Sequence, residues 1–230
     1  MKNRVVQSDQ MVQRVARKFY YMIPLYLLVP LIIGVFFHKM FASIDWLAFG
    51  LGALGWIMAL MMRGPLATLV KNVSPEKAAI IMGLSSGPFE EGIRVGLLLL
   101  TGLAFQWALS VGQGWAAAEV LFVVINGIAQ VKLLQSDHKK AAEAREVLEK
   151  QGFINVHPFL GVIERVSASF FHIGATLLVA KMPVMVFVLL FAHSLLNIVA
   201  VVLSRKYMIL TQIWLLMVGT FFLICGFSVF

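Results

Sequence analysis

Residues 182–203 read MPVMVFVLLFAHSLLNIVAVVL, with no Asp, Glu, Lys or Arg among them, and Arg205 and Lys206 follow soon after. At about 1.5 Å per residue, a helix over this run covers the roughly 30 Å hydrocarbon core of a bilayer. Two residues are foreign to lipid, His193 and Asn197, and they stand four apart, on one helical face. Such a run is a transmembrane helix that keeps one polar stripe turned inward.

The same pattern recurs on either side. Further apolar runs cover 19–37, 44–62, 78–109, 115–134, 159–180 and 208–229. They predict an all-α fold, a polytopic transmembrane helical bundle of about seven spans forming one membrane domain over 1–230. The run 78–109 is too long for one crossing, at roughly 48 Å. Its middle holds Gly83, Ser85, Ser86, Gly87 and Pro88, a helix-breaking cluster. It predicts a short interfacial piece, then a span beginning near Pro88.

Composition agrees. Of 230 residues, 60% are apolar and 13% charged, against about a quarter charged in soluble domains, and mean hydropathy is +0.90. Cys225 is the sole cysteine, which leaves no internal disulfide and no cysteine-based metal site. The net charge of +8 does not indicate a nucleic-acid partner, because the basic residues cluster between apolar runs. Fifteen Lys and Arg fall on one side: Lys2, Arg4, Arg14, Arg17, Lys18, Arg63, Lys71, Lys77, Lys132, Lys139, Lys140, Arg145, Lys150, Arg205 and Lys206. Only Lys39 and Lys181 fall on the other. The positive-inside rule then predicts a cytosolic N-terminus, an outside C-terminus and an odd number of spans in the cell membrane. The long basic leader and span-length first run predict no cleavable signal peptide. The polar stretch 135–157, with Arg145/Glu149 and Glu146/Lys150 four apart, predicts a cytosolic helix.

A short set of ionisable residues remains inside the runs: Glu90, Glu91, Arg94, Glu119, Glu164, Arg165, His172 and His193. Six carboxylates and guanidiniums each facing lipid would cost on the order of 15 kcal/mol, so they must face one another. Glu90 and Arg94 share a helical face. Arg165, Ser169, His172 and Thr176 form a second stripe, and Glu119, Asn126 and Gln130 a third. These stripes assign a four-span core to 78–203 and leave 19–77 and 207–230 as scaffold. His172 lies about 21 Å in from one side and His193 about 18 Å in from the other, both near the middle. Glu119 falls nearer the outer end of its span. His38, His138 and His157 read as loop residues, and Trp46, Trp56, Trp107, Trp115 and Trp214 as anchors at span ends.

Two carboxylates, two imidazoles and an amide are the parts of a water-activating hydrolase. A carboxylate withdrawn from water can act as a general base near neutral pH, and imidazole or amide N–H groups can hold an oxyanion. Zinc is the alternative, with Glu90, His172 and His193 as ligands, although His-Glu-x-x-His is absent. No Gly-x-Ser-x-Gly elbow is present, and no aspartate lies inside a span. From another class, intramembrane carboxylates also mark proton-coupled transporters, but no inverted repeat is visible. A non-catalytic immunity or interaction protein is a further alternative.

Read in order, the motifs are Glu90-Glu91-Gly-Ile-Arg94, Trp115-Ala-Ala-Ala-Glu119, Glu164-Arg165 with His172 downstream, and His193-Ser-Leu-Leu-Asn197. This resembles the superfamily of type II CAAX prenyl proteases and bacteriocin-processing membrane proteins. The spacing is nearest to the YhfC and PrsW membrane peptidase branches, since the CAAX enzymes have one more residue before the arginine. The likeness covers about 85–197. It implies an intramembrane protease with Glu90 as base helped by His172, an oxyanion site of His193 and Asn197, and support from Glu91, Arg94, Glu119, Glu164 and Arg165. It implies either no cofactor or zinc, and a membrane-protein or lipidated-peptide substrate.

Overall fold

A computed structural model describes residues 2–136, 157 and 159–230, and the described residues are helical with no strand. The elements are α1 (Lys2–Met40), α2 (Trp46–Met62), α3 (Gly64–Leu69), α4 (Pro75–Thr101), α5 (Phe105–Leu134), α6 (Phe159–Lys181) and α7 (Val186–Ser228), with a 3-10 turn at Pro183–Met185. Non-helical φ/ψ at Tyr207 divide α7 into two arms. Among the described residues, six segments are long and apolar enough to cross a membrane: Gln10–Met40, Trp46–Leu69, Phe105–Leu134, Phe159–Lys181, Pro183–Ser204 and Lys206–Ser228. α4 is as long, at roughly 40 Å, but carries Glu90, Glu91 and Arg94. The fold is a polytopic membrane bundle.

Five neighbours close a ring. α2 packs on α5, α5 on α6, α6 on α7, α7 on α4, and α4 back on α2, while α1 lies outside against α5 and α6. The polar stripes turn into this ring. Large apolar side chains such as Leu31, Ile32, Met61, Leu100 and Phe191 face outward, as lipid requires.

The run 78–109 breaks in a different place from the one the Gly/Ser/Pro cluster suggests. α4 continues through Pro88, and the chain turns at Gly102, whose φ of 150° favours glycine. Pro88 has no N–H to give the carbonyl of Leu84 four residues back. The hydroxyl of Ser194 on α7 donates to that oxygen instead, at 2.7 Å, so a neighbouring helix repairs the gap. Gly87 lets α7 come this close, because a Cβ there would overlap the carbonyl oxygen of Leu190.

α5 therefore begins at Phe105, ten positions before the expected start. Its first turns hold the start of α2: Ser110 Oγ accepts from Asp45 N at 3.0 Å, and the Asp45 carboxylate caps α2 by accepting from Leu47 N and Ala48 N, both at 3.0 Å. The aromatic rings of Phe37, Phe41, Phe105, Phe227 and Phe230 close this end of the bundle. Trp56 and Trp115 are core residues, 4% and 0% exposed, and His38 lies in the last turn of α1. Of the helix expected over 135–157, Gln135 caps α5 and His157 is exposed; residues 137–156, with His138, lie outside the described residues.

Candidate functional site

The ring centres on Arg94. Its Nε and Nη2 donate to the two oxygens of Glu91 at 2.9 and 3.2 Å, one helical turn away. Nη1 donates across to α6, to Thr176 Oγ1 at 2.6 Å and to the carbonyl of His172 at 3.1 Å. The guanidinium also lies over the Trp115 ring, 4.4 Å from its centroid, which favours a cation. Glu91 and Arg94 are both 0% exposed. They anchor α4 to α6 and hold the surrounding groups in place.

This arrangement fixes a proton. Arg94 Nη2 lies 2.9 Å from His172 Nδ1, and a guanidinium can only donate. Nδ1 is therefore the acceptor, and the ring proton sits on Nε2. Nε2–H points at Glu119 Oε2, 2.5 Å away. Glu119 also binds Arg165, which binds Glu164, and Gln212 Nε2 donates to Glu164 Oε2 at 3.4 Å. The motif pairs on α5 and α6 are one hydrogen-bonded chain.

His193 meets the other side. Its Nδ1 is 2.8 Å from Glu91 Oε1. Glu91 is already held by Arg94 as a carboxylate, so Nδ1 is the donor. In the neutral ring, Nε2 is then a lone pair, 3.8 Å from Glu90 Oε2. The His172 and His193 rings meet edge to face with centroids 5.3 Å apart. Glu90 Oε2 accepts from Trp115 Nε1 at 3.3 Å, and Oε1 lies 3.4 Å from Arg63 Nη2. One ligand-type atom each of Glu90, His172 and His193 lie within 4.8 Å of one another.

These groups open on a cavity of about 470 Å³. Glu90, Glu119, His172, His193 and Asn197 are part of its polar lining, with Arg63, Glu164, Arg165 and Ser167, and Trp56, Leu60, Met82, Phe122, Phe171 and Leu196 supply apolar wall. It extends toward the end of the bundle where α2 and α5 finish and α4 and α6 begin. Glu91 is not on its surface, so Glu90 is the carboxylate of the pair that meets a ligand. Asn197 Nδ2 donates to Ser86 Oγ at 2.6 Å, which keeps the amide at the wall.

The structure thus brings together Glu90, His172, His193 and Asn197, with Glu91, Arg94, Glu119, Glu164 and Arg165 around them. Three expectations change. Glu119 is central, because the longer α5 puts it mid-helix. Asn126 and Gln130 are exposed; they share its angular face but lie about 10 Å and more along the axis, away from the polar cluster. The spans assigned as scaffold also contribute: Trp56, Leu60 and Arg63 from the second, and Leu215 and Gly219 from the last, line the cavity. Arg63 was missed because it reads as a loop charge; its place at the edge of an apolar run, from which a long side chain can reach inward, was the available signal.

As a metal site, the set has suitable atoms and unsuitable protons. His193 shows the ligand pattern, with Nδ1 tied to a carboxylate. His172 does not, since its Nε2 carries the proton. Three guanidiniums, of Arg63, Arg94 and Arg165, also crowd the carboxylates. The residues as arranged do not fit a dication. Comparison of the chain with protein families, characterised proteins and solved structures finds no match.

Proposed function

We propose that the chain is an intramembrane peptidase of the cell membrane that activates water with Glu90, a reading to which the motif resemblance also leads. The observation that carries it is the meeting of one ligand-type atom each of Glu90, His172 and His193 within 4.8 Å on a mostly apolar cavity. Acceptors and donors are divided there. Glu90 is an acceptor able to hold a water, as is His193 Nε2 when that ring is neutral; the second N–H of the Asn197 amide is a donor able to hold an oxyanion, while His172 Nε2–H is taken up by Glu119.

In this reaction Glu90 takes a proton from water as the oxygen adds to the peptide carbonyl. The developing oxyanion receives a hydrogen bond from the free N–H of the Asn197 amide. The carbon–nitrogen bond then breaks, and Glu90 returns its proton to the leaving amine. The division differs from the one the resemblance implies: His172, held between Arg94 and Glu119, is a positioning residue, and His193 helps to hold the water. Glu91 orients His193, and Arg94 sets the tautomer of His172. The apolar wall suits a membrane-protein or lipidated peptide segment.

Purified protein in nanodiscs, given a library of internally quenched apolar peptides, tests this. Glu90→Gln is expected to lower hydrolysis at least about a hundredfold, as loss of a general base does. Unchanged hydrolysis in that variant rejects the mechanism. A zinc-dependent peptidase is the second reading, favoured by the ligand spacing alone. Hydrolysis abolished by a chelator and restored by zinc would establish it; the metal-free reading expects no change.

A further inference from the structure

Arg63 stands where α2 ends and α3 begins, and its side chain lines the cavity. Arg94 is held by Glu91, Thr176 and His172, and Arg165 by Glu119 and Glu164, but Arg63 has no such close set. Among the described residues its ion pair is the loose 3.4 Å contact with Glu90. Its Nε is buried with no hydrogen-bond partner. A guanidinium presents five N–H groups in a planar fork suited to a carboxylate, and a buried donor left unmet is costly. Glu90 is a poor permanent partner on the proposed reading, since it must bind and release a proton.

We propose that Arg63 is the anchor for a carboxylate on the substrate. The inference rests on the peptidase reading and adds the substrate class: an apolar peptide stretch carrying one carboxylate beside the bond that is cut. Position follows from distance. Arg63 lies within 3.4 Å of the water-activating group, and an extended peptide advances about 3.3–3.6 Å per residue. The carboxylate therefore belongs to a residue within about two positions of the scissile bond. Leu60 and Trp56, one and two helical turns before Arg63 on α2, line the same wall and would hold the apolar neighbours. Docking the carboxylate also draws Arg63 away from Glu90, which frees the base when substrate is present.

The test compares matched quenched peptides on the full chain in nanodiscs, with Glu or Gln at each of the two positions on either side of the cut. Each peptide is made with a free or amidated C-terminus. Wild type is expected to cleave a carboxylate-bearing peptide about ten- to hundredfold faster than its neutral isostere, the range for a charge-assisted hydrogen bond. A preference lost on side-chain replacement assigns an acidic residue; one lost on amidation assigns a chain end. Arg63→Gln should erase the preference and Arg63→Lys keep part of it. Equal cleavage of both peptides by wild type, or an equal loss on both in Arg63→Gln, overturns the proposal. If no peptide is cut, the peptidase reading fails by itself. Fluorescence anisotropy of labelled Glu and Gln peptides then decides: tighter binding of the Glu peptide, lost in Arg63→Gln, upholds the anchor, and equal binding rejects it.

Discussion

Arg94 shows how one side chain can organise a membrane interior. It donates to a carboxylate on its own helix, and to a hydroxyl, a carbonyl and an imidazole on α6. Removing it leaves Glu91 as a buried charge with only His193 beside it. Arg94→Gln is therefore expected to cost about 3–5 kcal/mol, the usual penalty for breaking a buried pair from one side, measured by denaturant unfolding in detergent. Arg94→Lys keeps the charge but not the planar fork. It should retain more stability while losing the His172 tautomer, visible as a change in the ring 15N shifts; an unchanged tautomer would break the link between the two residues. The sequence revealed the spacing of Glu90, Glu91 and Arg94, so their common interior was legible. Which carboxylate meets the cavity was not, because the two differ by only about 100° around α4 and the neighbours decide which way each points.

Among the helices, Pro88 reads in the sequence as a break and is in the fold a repaired interruption. Local chemistry sees only the missing N–H. The hydroxyl that replaces it comes from Ser194 on another helix, more than a hundred positions later. Ser194→Ala should destabilise the bundle by about 0.6–2 kcal/mol, the range for interhelical side-chain hydrogen bonds in membranes. In a Pro88→Ala background, where the backbone again supplies an N–H, the same substitution should cost less. A double-mutant cycle of unfolding free energies checks this; strict additivity would mean that the hydroxyl does not serve the proline gap. Gly87→Val is the harsher change, since its side chain meets the Leu190 carbonyl. It should push α4 from α7, separate Glu90 from His193 and abolish function.

The whole molecule is a ring of helices around a polar centre, sealed by aromatic rings at one end. The charge pattern predicts that the open end faces the cytosol. In a Cys225→Ser background, Ser43→Cys should react with an impermeant maleimide on intact cells, and Lys71→Cys only after permeabilisation. Labelling of both from one face would overturn the orientation and the expected span count with it.

The sequence alone determined that this chain lives in a membrane as a helical bundle, because lipid admits few other backbones and the apolar runs are long enough to be read directly. It also determined which residues had to meet, since isolated charges are too costly in hydrocarbon to be scattered. Tertiary structure alone decided that Glu119 is central, that Arg63 reaches the cavity, and that His172 carries its proton on Nε2. Each of these depends on where one helix begins or turns relative to another. Such contacts leave no periodicity along the chain.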